Sequence, residues 1–299
     1  MQALNKVLVL WNRTRCLGQS TQDEALTADV ISRNSMEDGA ANVTRKLMIE
    51  QTQPIRRLHK QVAKFIKNQS FEGFGLTRLI VNNAQPRIDE RLVEFRAQHE
   101  KLVEEFVAHY PEHLVAEQVK HGPRFRESDY PPAGQVAEKF EVEWGFAPMA
   151  MPSQFQESVM TDEIRTRLQE QYEAQTTAAI NGIEREAIRR TLTMIGAVAD
   201  ELSKDKPILV DSDGRKGVVP RLREALALLP ENNLTGNPTL AALHATCTEK
   251  LMLATEALKN SEFARRDTAT AARTILSQFG GLGARMVEAA ESPAAEAAA

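Results

Sequence analysis

Residues 155–204 contain no proline, and their larger apolar side chains recur at helical spacing: Ile164, Leu168, Ile183, Leu192, Ile195 and Leu202, with Gln175 in the series and Ala between. That pattern predicts one long helix. Roughly forty residues of helix extend about 60 Å. A rod of that length cannot keep its apolar stripe dry alone, so it requires a partner of similar length. Gly182 and Gly196 weaken such a helix without ending it. The body this chain builds must therefore be mainly helical.

A second helix signal follows Pro86, a residue suited to a first turn. Ile88, Leu92, Phe95, Leu102 and Phe106 keep heptad spacing, with His99 filling the gap. These five apolar residues are the expected helix-packing interface, packed on the 164–202 face or on a second copy. Tyr110-Pro111 ends the helix and a shorter one reaches Lys120. Pro220 starts and Pro230 stops another. Asn237-Pro238 is a helix start with Asn as cap, and Leu240, Leu243, Cys247, Leu251, Ala254 and Leu258 repeat behind it. A last helix runs to Phe279, where Gly280-Gly281-Leu282-Gly283 should end it.

Strand signals are fewer. Residues 6–17 are rich in strand formers around Val7 to Trp11, residues 76–81 form a second candidate, and residues 140–146 alternate apolar and polar with one face to bury. Residues 18–42 read as a loop with a short helix near 24–31. Residues 43–68 read as a helix that Pro54 restarts or kinks. The fold class that results is α+β, mainly α with a small antiparallel sheet, its long helices forming an elongated bundle or coiled-coil hairpin. The expected division is a mixed domain over 1–150, a helical domain over 151–285 and an Ala-rich disordered tail over 286–299.

Composition narrows the function. Aromatics are only 5% of the chain, which favours aliphatic helix packing over a sandwich or barrel. Cys16 and Cys247, the only cysteines, make neither a disulfide framework nor a metal cluster. The apolar run near the N-terminus is too short for a signal peptide, and no stretch has the length of a membrane span. The expected location is the cytoplasm, with no membrane partner.

Chemical motifs are weak. His109-Tyr110-Pro111-Glu112-His113 fits a zinc-peptidase pattern, but Pro111 should start a helix that leaves His109 outside, and no third ligand follows. Asp211-Ser212-Asp213-Gly214 lacks the later ligands of a calcium loop and reads as a turn. Gly73-Phe74-Gly75 precedes a strand where a dinucleotide fingerprint follows one. No phosphate loop, nucleophile elbow or Glu-x-x-His pair occurs. No catalytic residue, metal or cofactor is expected, and the chain reads as a non-enzyme.

The strongest local charge lies between residues 44 and 67, where seven cations (Arg45, Lys46, Arg56, Arg57, Lys60, Lys64 and Lys67) face the single carboxylate of Glu50. Arg56, Arg57, Lys60, Lys64 and Lys67 are candidates for contact with nucleic acid or an acidic partner, since such a face neutralises phosphates. No aromatic interleaves them, so base stacking is not implied. The plain alternative is a solvated outer face, or one paired with Glu-rich helices.

The order of these pieces resembles a family of uncharacterised proteins from bacteriophages and prophages, a domain of unknown function. The likeness runs through the Trp11 strand, the basic helix before Gly73, the strand at 76–81, Pro86 with its heptad helix, and Tyr130-Pro131 before the 140–146 strand. It covers roughly residues 1–200 and implies a mainly helical protein, located in the host cytoplasm if phage-encoded, with no catalytic residues to carry over. Members are encoded near ATPases of the MoxR type, so the resemblance implies an adaptor or substrate of such an ATPase, while the long helices by themselves suggest an interaction or scaffold protein. Self-association or a protein partner is the leading expectation, and nucleic-acid binding through the basic helix is the alternative.

Overall fold

The computed structural model describes residues 6–18, 20–73, 77–149, 162–209, 217–252 and 255–291. Strand β1 (Val7–Arg15) and β2 (Ser20–Gln22) lead into α1 (Glu24–Arg33), and β3 (Thr44–Lys46) precedes α2 (Gln53–Gln69). Hairpin strands β4 (Phe71–Glu72) and β5 (Arg78–Val81) are followed by α3 (Gln85–Ala108) and α4 (Tyr110–His121). After several 3-10 turns comes β6 (Glu141–Pro148). The remainder is helical: α5 (Asp162–Leu202), α6 (Val218–Leu228), α7 (Pro238–Leu251), α8 (Thr255–Asn260) and α9 (Glu262–Glu291). The protein is α+β, mainly helical, with a small antiparallel sheet in the order β4-β5-β1-β6 and a two-stranded ribbon of β2 and β3. Among the described residues no helix is long and apolar enough to cross a membrane.

The chain makes two compact units and visits each more than once. The first comprises Met1–Val9, Phe71–Asn83 and Ala147–Ala299; the second comprises Leu10–Ser70 and Ala84–Phe146.

In the first unit, the 41-residue α5 finds the long partner its length demands: α9 packs along it, α6 also leans on it, and α7 packs on α9. Its buried stripe is Thr176, Ile180, Ile183, Ala187, Thr191, Ile195, Val198 and Leu202, at steps of three or four. Fully burying one such Ile or Leu contributes roughly 1.5–3 kcal/mol. The expected stripe is corrected in its N-terminal half, where Ile164 is 41% exposed and Gln175 is also exposed. There Thr176 and Ile180 turn inward, because the packed helices set the rotational phase. Glu184 is buried within this stripe and accepts from the Thr235 amide and hydroxyl, each at 2.8 Å, and from Asn237 Nδ2 at 3.3 Å. Asn237 caps α7 as its sequence predicts, accepting from the Thr239 amide at 2.9 Å.

Three expectations for this unit need revision or fall outside it. The 240–258 repeat is split: α7 stops at Leu251 and Leu258 reaches the same core from α8, while Ala254 lies outside the described residues. The glycines at 280, 281 and 283 do not end the last helix, since α9 continues to Glu291. Helix propensity is a weak prior, and the strong helix formers on both sides of these glycines outweigh it. The Asp211–Gly214 turn lies outside the described residues.

In the second unit α3 packs on α2. The heptad residues Ile88, Leu92, Phe95 and Phe106 are buried and Leu102 is half-buried. The buried face of α2, the helix α3 packs on, carries Ile55, Leu58, Val62 and Ile66. Phe65 and Phe95 contact edge to face at 5.7 Å. The seam is therefore satisfied within the unit. A second cluster gathers Leu17, Leu47, Met48, Tyr110, Tyr130, Val136 and Phe140.

The helical reading of residues 43–52 is corrected, whereas the restart expected at Pro54 is found. Residues 44–46 pair with 20–22 as strands, and the helix begins at Gln53 with Pro54 in its first turn. A ladder partner remote in sequence overrides the local helical pattern there.

Candidate functional site

Pro54 fixes the first turn of α2 without losing an intrahelical hydrogen bond, and the apolar residues at 55, 58, 62 and 66 set which face is buried. The opposite face carries Gln53, Arg57, Lys60, Gln61, Lys64, Lys67 and Asn68, all exposed. No Asp or Glu occurs anywhere in the helix. Among the described residues Arg57, Lys60 and Lys64 have no ion-pair partner, whereas Lys67 and Asn68 are already engaged. Arg57 to Lys67 covers about 15 Å along the axis.

The other expected cations are diverted. Arg56 turns into the unit, donating through its guanidinium to the Leu17 carbonyl and through Nε to Thr52 Oγ1 at 3.3 Å. Arg45 is 7% exposed: its Nε lies 2.9 Å from Asp23 Oδ2, Nη2 meets Asp129 Oδ2 at 2.5 Å, and Nη1 meets the Arg124 carbonyl at 2.5 Å. Asp23 also caps α1 by accepting from the Leu26 amide at 2.9 Å. That bond first, then Arg45 and the other arginines, holds its carboxyl below the usual range despite burial. Arg45 is thus a clamp between remote segments, and Lys46 is exposed on β3.

Glu117 is likewise buried, receiving Tyr130 Oη at 3.0 Å, Lys120 at 3.2 Å and His121 at 3.3 Å. Burial alone would raise its pKa, but the Met48 amide with Lys120 and Tyr130 outweighs that and lowers it. A carboxylate this enclosed organises the loop before α2 and offers no access to substrate.

The zinc-peptidase pattern is not assembled. His109 caps the junction of α3 and α4, with Nδ1 2.9 Å from the Glu105 carbonyl, and the rings of His109 and His113 lie 6.3 Å apart. His113 instead packs on Phe106 at 5.1 Å. No group of three or more His, Cys, Asp or Glu able to hold a metal occurs among the described residues. Gly73 belongs to the β4–β5 hairpin, donating to the Thr77 carbonyl at 3.1 Å, and a Cβ there would lie 2.7 Å from Thr77 Oγ1. Residues 74–76 lie outside the described set. Burial pushes Cys247 up to about 11 and raises Cys16, so neither thiol is poised as a nucleophile at neutral pH.

A cleft beside β6 is barely legible in the sequence. A cleft of 410 Å³ lies between α3 and β6, lined by Arg96, His99, Glu100, Val103 and Glu104 on one side and residues 140–143 on the other. The alternation at 140–146 was the only signal, and it suggested one buried face. Phe140 and Val142 are indeed buried, but Trp144 and Phe146 are half-exposed. Trp144 is anchored from α3, donating from Nε1 to Asp89 Oδ1 at 2.8 Å beneath the Arg96 guanidinium at 4.9 Å.

Comparison with known protein families, curated proteins and solved structures found no match. The phage-family resemblance gains no support from them.

Proposed function

We propose that this protein binds nucleic acid through the outer face of α2, contacting phosphates without reading bases. The observation that carries this reading is a seventeen-residue helix with no carboxylate, whose exposed Arg57, Lys60 and Lys64 have no counter-charge among the described residues. Cations left unpaired on a rigid helix attract a polyanion, and release of its counterions supplies the affinity. The flanking amides of Gln53 and Gln61 add donors suited to backbone oxygens. The chain's overall charge of −4 does not oppose this, because a local field governs a local contact. The alternative role as scaffold or MoxR-type adaptor would use the same cations against an acidic protein. The seam on α3 is covered by α2 within the unit, so it leaves α2 as the favoured docking face.

Fluorescence anisotropy with labelled duplex and single-stranded oligonucleotides, from low to moderate salt, tests the reading. Three phosphate contacts predict a log–log salt slope of about −3 on duplex, and affinity in the weak, non-specific range. The triple variant Arg57→Glu, Lys60→Glu, Lys64→Glu should abolish binding while its circular dichroism stays native. Unchanged binding by a folded triple variant overturns the proposal. Binding of poly-glutamate with none of oligonucleotide transfers it to an acidic protein partner.

A further inference from the structure

We infer that the cleft between α3 and β6 binds a basic peptide in extended conformation, which joins the sheet beside β6. This goes beyond the α2 reading and does not depend on it.

The backbone makes the first argument. β6 stands at the end of the sheet order, so among the described residues only β1 pairs with it, and its outer edge has no strand partner. Eight residues of strand present about 26 Å of edge. An open edge of that length templates pairing with another chain unless something covers or uses it. Phe140, just before the strand, and its first three residues, Glu141, Val142 and Glu143, line the cleft. Strand side chains alternate between faces, so a lining drawn from both Val142 and its neighbours Glu141 and Glu143 fits a strand that presents its edge there. An exposed sheet edge is what captures extended peptides by strand addition.

The second argument is rigidity. Phe140 packs edge to face on Phe106 of α3 at 5.1 Å, and the Trp144–Asp89 hydrogen bond ties the strand to the same helix. The two walls are thus held at a set spacing before any ligand arrives, which lowers the ordering cost of binding.

The lining chemistry names the occupant. Glu100 and Glu104 on α3 and Glu143 on β6 have no ion-pair partner among the described residues. Glu141 is shared at 3.3 Å by Arg13 and Arg15, and the lining cation Arg96 is engaged over Trp144. Val103, Phe140 and Val142 supply apolar surface between the carboxylates. His99 lines the same cleft at 5% exposure, and its Nε2 has no hydrogen-bond partner among the described residues. A strand alternating Lys or Arg with aliphatic residues matches this lining with period two. A nucleic acid does not, since its phosphates would meet the three free carboxylates.

The probe is an end-capped eight-residue peptide alternating Lys and Val. At low salt it should bind saturably and protect the amides of residues 141–147 from hydrogen exchange. The double variant Glu100→Lys, Glu104→Lys, which changes only exposed positions, should weaken binding about tenfold or more. A peptide N-methylated at alternate residues should not bind, because it cannot complete the ladder. The α2 triple variant should bind the peptide normally, which separates failure of this site from failure of the α2 reading. Three results overturn the inference: no saturable binding, equal binding of the N-methylated peptide, or protection that spares β6. Protection of β6 by an oligonucleotide likewise overturns it.

Discussion

The imidazoles of His59 on α2 and His99 on α3 stack with centroids 5.1 Å apart and planes 25° from parallel. Both Nε2 atoms are buried without hydrogen-bond partners among the described residues. Burial first, then the neighbouring His99 and Arg56, pushes His59 down to about 4. His99 is also lowered by burial, which the carboxylate of Glu100 only partly offsets. The α2–α3 seam therefore contains two rings that fold together neutral.

A pH dependence follows. The unfolded histidines titrate near 6.5, roughly their ordinary value, so the unfolded chain binds more protons than the folded one below that pH. The stability of the neutral pair is complete above about pH 6.5 and is lost as pH falls toward about 4. Thermal melts at pH 7 and pH 5 should show a larger drop for the parent protein than for His59→Phe. Parallel drops in both would exclude the pair as the sensor.

Phe95→Ala should destabilise the second unit by about 3–5 kcal/mol, since it empties a buried site beside Phe65 and beneath the Arg91 guanidinium at 4.6 Å. Urea denaturation with a loss under about 1 kcal/mol would mean that the seam is not packed as described.

Glu184→Ala should cost about 1–3 kcal/mol, because the Thr235 amide and hydroxyl lose their buried acceptor. Hydrogen exchange should accelerate first around residues 233–240, at the start of α7. Glu184→Gln keeps an acceptor oxygen and should cost less. Equal losses for both variants would show that the charge matters and the hydrogen bonds do not.

Gly145→Ala places a Cβ 2.6 Å from three atoms of the Trp11 indole. Trp11 is 47% exposed, so its ring can swing away. The variant should change tryptophan fluorescence while leaving stability within about 1 kcal/mol. A large stability loss with unchanged emission would show that the strand yields in place of the ring.

Where partners lie close along the chain, the residues announced their own structure. Asn237-Pro238 marked the start of α7, the 240–251 repeat marked its buried face, and the 88–106 heptads marked a packed helix. The carboxylate-free stretch of α2 was also visible, because charge on a helix face depends only on sequence spacing. Proline and glycine were less reliable. Pro54 began a helix as its fixed φ dictates, yet the glycines from 280 to 283 passed inside one.

Helix content, the amphipathic period and the basic face of α2 were determined by the sequence alone, since each arises from neighbours within about one or two helical turns. Tertiary structure decided which cations stay free: Arg45 is claimed by Asp129, 84 residues away, and Arg56 by Leu17, 39 residues away. It also turned residues 44–46 into a strand, set the phase of α5, stacked His59 on His99, and opened the cleft beside β6. Each of these depends on groups remote in sequence meeting at a few ångströms, and local propensity carries no term for that encounter.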